Sequence, residues 1–226
     1  MSKHLERDLD NLLQDLLALA SSVETAIAKA TQALSSRDAE LAQEVIEGDN
    51  AIDAEENHVE EECLKMLALH QPVAVDLRRI ISALKINAEL ERMADSAEDI
   101  AERAVRLAQL PDIKVSDKLQ RMTDVTSSMV RQSLDSFVNL DSRLARLVCR
   151  LDDEVDRYNT EIIDELIDVM KQNPELIESG LSMFSAVRHL ERIGDHATNV
   201  AEDVVYMVEG EIIRHKPTVA QIGDFG

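Results

Sequence analysis

Along most of this chain apolar residues recur every third or fourth position, the spacing of one face of an α-helix, and nowhere do they settle into the alternation of a strand. All four prolines, Pro72, Pro111, Pro174 and Pro217, fall between the periodic segments, where a missing N–H and a fixed φ do least harm. This punctuation predicts six helices, near residues 4–34, 38–70, 73–108, 115–139, 142–172 and 175–210. Asn173, Pro174 and Glu175 mark the start of the sixth: a capping oxygen, a proline suited to the first turn, and a carboxylate at the positive end of the helix dipole. Short connections make successive long helices antiparallel neighbours.

The pattern repeats after about 100 residues, far longer than a solenoid unit, so a whole bundle is duplicated. The run Glu91-Arg92-Met93-Ala94-Asp95-Ser96-Ala97-Glu98-Asp99-Ile100-Ala101-Glu102 returns as Glu191-Arg192-Ile193-Gly194-Asp195-His196-Ala197-Thr198-Asn199-Val200-Ala201-Glu202. On the preceding helix Asp49-Asn50-Ala51-Ile52-Asp53 returns as Asp152-Asp153-Glu154-Val155-Asp156, and helix starts at Asp38 and Asp141 keep the same offset. The expectation is an all-α fold of two tandem three-helix bundles, residues 1–110 and 111–212, followed by a short glycine-containing tail over 213–226.

Composition sharpens this. Aromatics are 2% of the residues against 45% hydrophobic, so the core is aliphatic, as suits helices better than sheets. A net charge of −21 argues against nucleic acid and anionic lipid as partners. No apolar stretch approaches the length of a membrane span and no signal core follows Met1, so a cytoplasmic protein is expected. Cys63 and Cys149 match no metal or redox pattern and read as reduced, small hydrophobes.

The chemistry lies in the carboxylates. In the third helix a seam through Leu77, Ile81, Leu84 and Ala88 continues on the same count to Glu91, Asp95, Glu98 or Asp99, and Glu102. The sixth helix does the same from Ile177, Leu181, Phe184 and Arg188 to Glu191, Asp195, Thr198 or Asn199, and Glu202. Asp49 with Asp53, and Asp152 with Asp156, place two acids one turn apart beside the apolar positions of the second and fifth helices. Like charges at that spacing repel, and protonation, a basic partner or a bound cation relieves them. Oxygen-only donors suit iron(III), manganese, magnesium or calcium better than zinc. Acidic stripes on long helices are commonly just solvated faces; the doubling and the seam position favour the metal reading.

Leu90-Glu91-Arg92-Met93-Ala94-Asp95 and Leu190-Glu191-Arg192-Ile193-Gly194-Asp195-His196-Ala197 resemble the paired signatures of the PhoU family, and the resemblance covers nearly the whole chain. It implies two three-helix bundles side by side, with metal ions or multinuclear iron clusters held by Asp49, Asp53, Glu91 and Asp95 in one half and by Asp152, Asp156, Glu191 and Asp195 in the other. Asp99, Asn199, Glu102 and Glu202 are subsidiary candidates. The first repeat departs from the pattern at Ala94 and Asp99, where the second keeps Gly194 and Asn199, so the two sites are expected to differ. The resemblance further implies a negative regulator acting between the ATPase subunit of a phosphate ABC transporter and a phosphate-sensing histidine kinase. A homodimer is compatible with paired bundles.

A metalloenzyme with carboxylate-bridged ions is the alternative, but no Ser/His/Asp, Cys/His or glycine-rich phosphate motif accompanies the acids, and the expected role is non-catalytic. A purely structural helical adaptor would leave the doubled acidic pairs unexplained. Glu55 and His58 match half of a ferritin-like motif whose second half is absent, so His58 reads as a surface residue. Arg92 and Arg192 read as ion-pair partners, His189 and His196 as solvated or core-satisfied residues, and the methionines as core filler.

Overall fold

The structure, a computed structural model, describes residues 3–213; the expected tail over 213–226 lies outside them except for Ile213. Six α-helices run α1 Lys3–Ser36, α2 Ala39–His70, α3 Ala74–Ala108, α4 Lys118–Val138, α5 Ser142–Gln172 and α6 Ile177–Glu209. No strand occurs among the described residues, and no helix is long and apolar enough to cross a membrane.

Two helix starts carry the expected aspartate. Asp38 accepts from the N–H groups of Glu40 and Leu41, and Asp141 accepts from those of Arg143 and Leu144, satisfying donors that the first turn leaves free. The turns before them match as well. Arg37 (φ 57°) and Leu140 (φ 52°) take the left-handed conformation, and the next N–H reaches back to Ala33 O at 3.1 Å and Ser136 O at 2.9 Å. Asn173 behaves differently from expectation: it makes no N-terminal cap but donates its side-chain amide to Val169 O at 3.1 Å, and Pro174–Leu176 form a single 3₁₀ turn before α6. The fourth helix starts at Lys118, since residues 110–117 are spent crossing between the bundles, Ile113 among them turned into the core.

Helices α1, α2 and α3 pack on one another, as do α4, α5 and α6, and the halves join mainly along α3 and α6, with a smaller contact between α1 and α4. The buried face of α3 runs through Ile80, Ala83, Leu90, Met93, Ala97, Ile100, Ala104 and Leu107. The expected seam therefore needs correcting. Leu77 is 39% exposed and Ile81, Leu84 and Ala88 are only partly buried; on α6, Ile177, Leu181 and Phe184 are 45%, 57% and 37% exposed. Both central helices are enclosed on several sides, and close approach is made by small residues such as Ser82, Ala83, Ala94, Ser96 and Ala97, which a hydrophobicity count weighs lightly.

The joint between the halves is antiparallel and nearly symmetric. Lys85 Nζ lies 3.0 Å from Asp203, Asn199 donates to Glu89 at 3.0 Å, His189 lies 3.3 Å from Asp99, and Arg103 donates to Ser185 at 3.0 Å. Under the repeat, Lys85 corresponds to Ser185 and Arg103 to Asp203, so the outer pairs are mates; Glu89–Asn199 and Asp99–His189 are mates too. An approximate twofold axis thus crosses the joint near Ala94 and Gly194. Arg37 also ties the α1–α2 turn to the crossing segment, donating to the carbonyls of Leu107 and Leu110 and, at 2.9 Å, to Asp112.

Candidate metal centre

In the first half, α2 and α3 lie antiparallel, and Asn87 on α3 donates to both the backbone carbonyl and the carboxylate of Glu56 on α2, at 3.1 and 2.7 Å. That register sets the acidic turns of the two helices opposite one another. Partial burial, then Asp53 and Asp95, push the Asp49 carboxyl above the ordinary range. Asp95 is raised by burial, Asp53 and Asp99, while Arg192 and His196 of the other half oppose the rise. Glu91 is raised by burial, Asp95 and Glu56. Asp49, Asp53, Glu91 and Asp95 are therefore brought within electrostatic reach of each other.

Two further acids belong with them. Glu98 is raised by burial and by Asp49, Glu102 and Asp95, and Glu56 by burial, Glu60 and Asp53. Glu56 continues the count from Asp49 and Asp53 by three residues, a spacing visible in the sequence.

The second half is built alike but ends differently. Asp152 is pushed up to about 6, by burial first and then by Asp195 and Asp156. Glu191 is raised by burial, with Asp156 and Asp152 adding to the rise against Arg188; Asp195 is raised by burial, Glu191 and Asp156. Where the first half has Glu98, the second has Thr198, whose hydroxyl donates to Asp152 at 3.2 Å. One half thus sets carboxylate against carboxylate where the other has a hydrogen bond.

The donors fit a hard cation: oxygen only, several negative charges on two facing helices, and, at Asp49, Glu91, Asp95, Asp152, Glu191 and Asp195, carboxyls lifted first by burial and then by neighbouring carboxylates. Glu191 adds an orphan, since one carboxylate oxygen accepts from Arg188 at 2.9 Å while Oε2 is buried without a hydrogen-bond partner. Among the described residues, however, no three His, Cys, Asp or Glu side chains close around a common point as in a finished metal site. The carboxylates are near enough to repel one another.

The subsidiary candidates mostly serve the joint between halves. Asp99 faces His189 and lies 3.6 Å from Arg103, Asn199 donates to Glu89, and Glu102 pairs with Arg103 at 2.9 Å. Glu202 raises the Cys149 thiol of α5, which is pushed up to about 11, chiefly by burial. The residue the sequence concealed is Glu89, only 6% exposed, bonded to His196 Nδ1 at 2.8 Å and to Asn199, and paired with Arg92 at 3.2 Å. Burial alone would raise its carboxyl, but the bonds from His196 and Asn199 and the charges of His196 and Arg92 outweigh it and hold the group below the usual range. His196 is engaged inside the joint through Nδ1 alone, its Nε2 being buried without a hydrogen-bond partner, and Arg92 is the ion-pair partner its position suggests. His58 is exposed, 3.6 Å from Asp15. Cys63 is buried, its thiol pushed up to about 12, so it behaves as an inert hydrophobe.

The departure at Ala94 and Gly194 is sterically small. A Cβ there would meet Val155 Cγ1 at 3.4 Å, ordinary to slightly tight contact, and the first repeat accepts Ala94 at the matching place.

Comparison with known proteins agrees with this architecture. A family model described as the PhoU domain matches twice, at residues 16–104 and 119–204. The phosphate-specific transport system accessory protein PhoU homolog of Aquifex aeolicus is 42% identical over 212 residues, 94% of this chain and 96% of the relative. The homolog of Pseudomonas putida is 38% identical over 216 residues, 95% of this chain and 84% of the relative. The crystal structure of PhoU from Pseudomonas aeruginosa superposes with a TM-score of 0.88 at 38% identity, covering 91% of this chain and 99% of that one. That of the phosphate transport system regulatory protein PhoU from Streptococcus pneumoniae gives 0.86 at 31%, covering 92% and 99%. With both matched segments falling on the two bundles and full-length relatives of the same name on either measure, the chain belongs to the PhoU family.

Proposed function

We propose that this chain is a cytoplasmic, metal-binding negative regulator of phosphate uptake and phosphate-starvation signalling, working by contact between the ATPase subunit of a phosphate ABC transporter and a phosphate-sensing histidine kinase. The observation that carries the reading is the 42% and 38% identity, over nearly the whole chain, to relatives named as phosphate-specific transport system accessory proteins. Their name describes an accessory and not a catalyst, which favours action by binding. The acidic faces support the metal part. Iron, manganese, magnesium or calcium held by Asp49, Asp53, Glu91 and Asp95, and by Asp152, Asp156, Glu191 and Asp195, would neutralise repelling oxygens and lock α2 to α3 and α5 to α6. Glu98 against Thr198 makes the first site the more negative, so it should take the more highly charged ion.

Affinity capture from lysates of phosphate-rich and phosphate-starved cells tests the regulatory role. The transporter ATPase, the kinase or both should be recovered with the chain in phosphate-rich cells. Recovery of neither under either condition would contradict it.

A further inference from the structure

Apart from Val208, the exposed apolar residues of α3 and α6 gather near the starts of the two helices. Exposed Leu77, with half-buried Ile81 and Leu84 along the same face, lies at the end of the α2–α3 hairpin, and exposed Ile177, Leu181 and Phe184 lie at the end of the α5–α6 hairpin, on the faces that carry the acids further along. Each trio maps onto the other under the repeat, at the same offset as the pairs that define the twofold axis of the joint. Because α3 and α6 are antiparallel, with Arg106 of α3 meeting Glu178 of α6 at 2.8 Å, the two patches sit at opposite ends of one surface. About 25 residues of α3 separate Ile81 from the level of Leu181, so the patches are roughly 40 Å apart. The carboxylates of both halves lie between them.

Single exposed leucines are commonplace, but two matched apolar patches flanking a strongly acidic middle make a surface with approximate twofold symmetry. A second copy of this chain, itself carrying −21, would set acid against acid across that middle. From the symmetry and the charge we infer that this surface receives one twofold-symmetric protein, a homodimer in which each subunit offers an apolar contact flanked by lysine and arginine. One monomer of this chain would thereby engage two identical partner subunits, one per repeat. The inference rests on the proposed regulatory role and specifies its geometry: both hairpin ends act together, so binding gains avidity without either contact being strong alone.

The test uses the full chain and the purified transporter ATPase subunit in its ATP-bound dimeric state. Mass photometry should find one chain with two ATPase subunits. Leu77→Glu and Leu181→Glu, both at exposed positions and checked for unchanged helicity and metal content, should each weaken binding by roughly tenfold or more, and the double variant by more than either. Added salt should weaken all complexes. One-to-one stoichiometry, an effect from only one of the two substitutions, or unchanged affinity in both would overturn the twofold surface while leaving the regulatory role standing. Self-association of the chain that the same substitutions abolish would instead assign the surface to a second copy and overturn the inference. Failure of the unsubstituted chain to bind the ATPase at all would sink the inference together with the ATPase arm of the proposed role.

Discussion

At the scale of single residues, the acidic faces carry carboxyls that hold their protons more tightly than ordinary ones do. Asp152, pushed up to about 6, binds its proton more tightly in the folded than in the unfolded chain. The folded state therefore holds the extra proton between the ordinary carboxylate range and about pH 6, and metal-free stability from this group falls as pH rises through that window. Asp152→Asn keeps the acceptor for Thr198 and removes the charge. In chelator-treated protein it should raise stability at pH 7 by about 1 kcal/mol, discounted for partial solvent screening, with no gain near pH 4; denaturant melts at the two pH values check this. Glu89 has the opposite sign, because its folded pKa is depressed and its contribution is lost as pH falls through that value. Glu89→Gln sets an amide against both His196 and Asn199 and should cost about 1–3 kcal/mol at neutral pH, read from chemical denaturation. The eight principal acids were legible from spacing, since acids one turn apart share a side of a helix. Glu89 was not, because its partners His196 and Asn199 lie in the other repeat and no local pattern pairs them.

At the scale of helices, the caps and the six-element count follow from local chemistry, and so can be tested locally. Asp141→Ala removes an acceptor for the N–H groups of Arg143 and Leu144 and should cost about 1 kcal/mol in thermal or denaturant unfolding. An unchanged midpoint would remove the cap from the account. The apolar seams were misread for a related reason. On α3 and α6 large aliphatic residues stand on two adjacent faces, and periodicity cannot say which faces a neighbour when the true contact is made by alanine and serine. The expected side-chain cap at Asn173 is missing because that amide has a competing use, returning to the end of α5 through Val169 O.

At the scale of the whole molecule, duplication was readable from the returning signature, and two bundles follow from it. How the bundles dock was not readable: a helical face announces that it wants a neighbour, but not which one or in which direction. The answer, α3 against α6 about an approximate twofold axis, places both acidic clusters on one surface and turns a repeated sequence into a nearly symmetric instrument. Its charge of −21 makes cations the natural means of closing that surface. The most direct measurement is the metal content, by elemental analysis, of untagged protein exchanged into iron or manganese, beside an Asp95→Asn/Asp195→Asn double variant of equal helicity. Bound metal in the first and its substantial loss in the second is the expected result, whereas equal metal in both, or none in either, would contradict the assignment of these carboxylates as ligands.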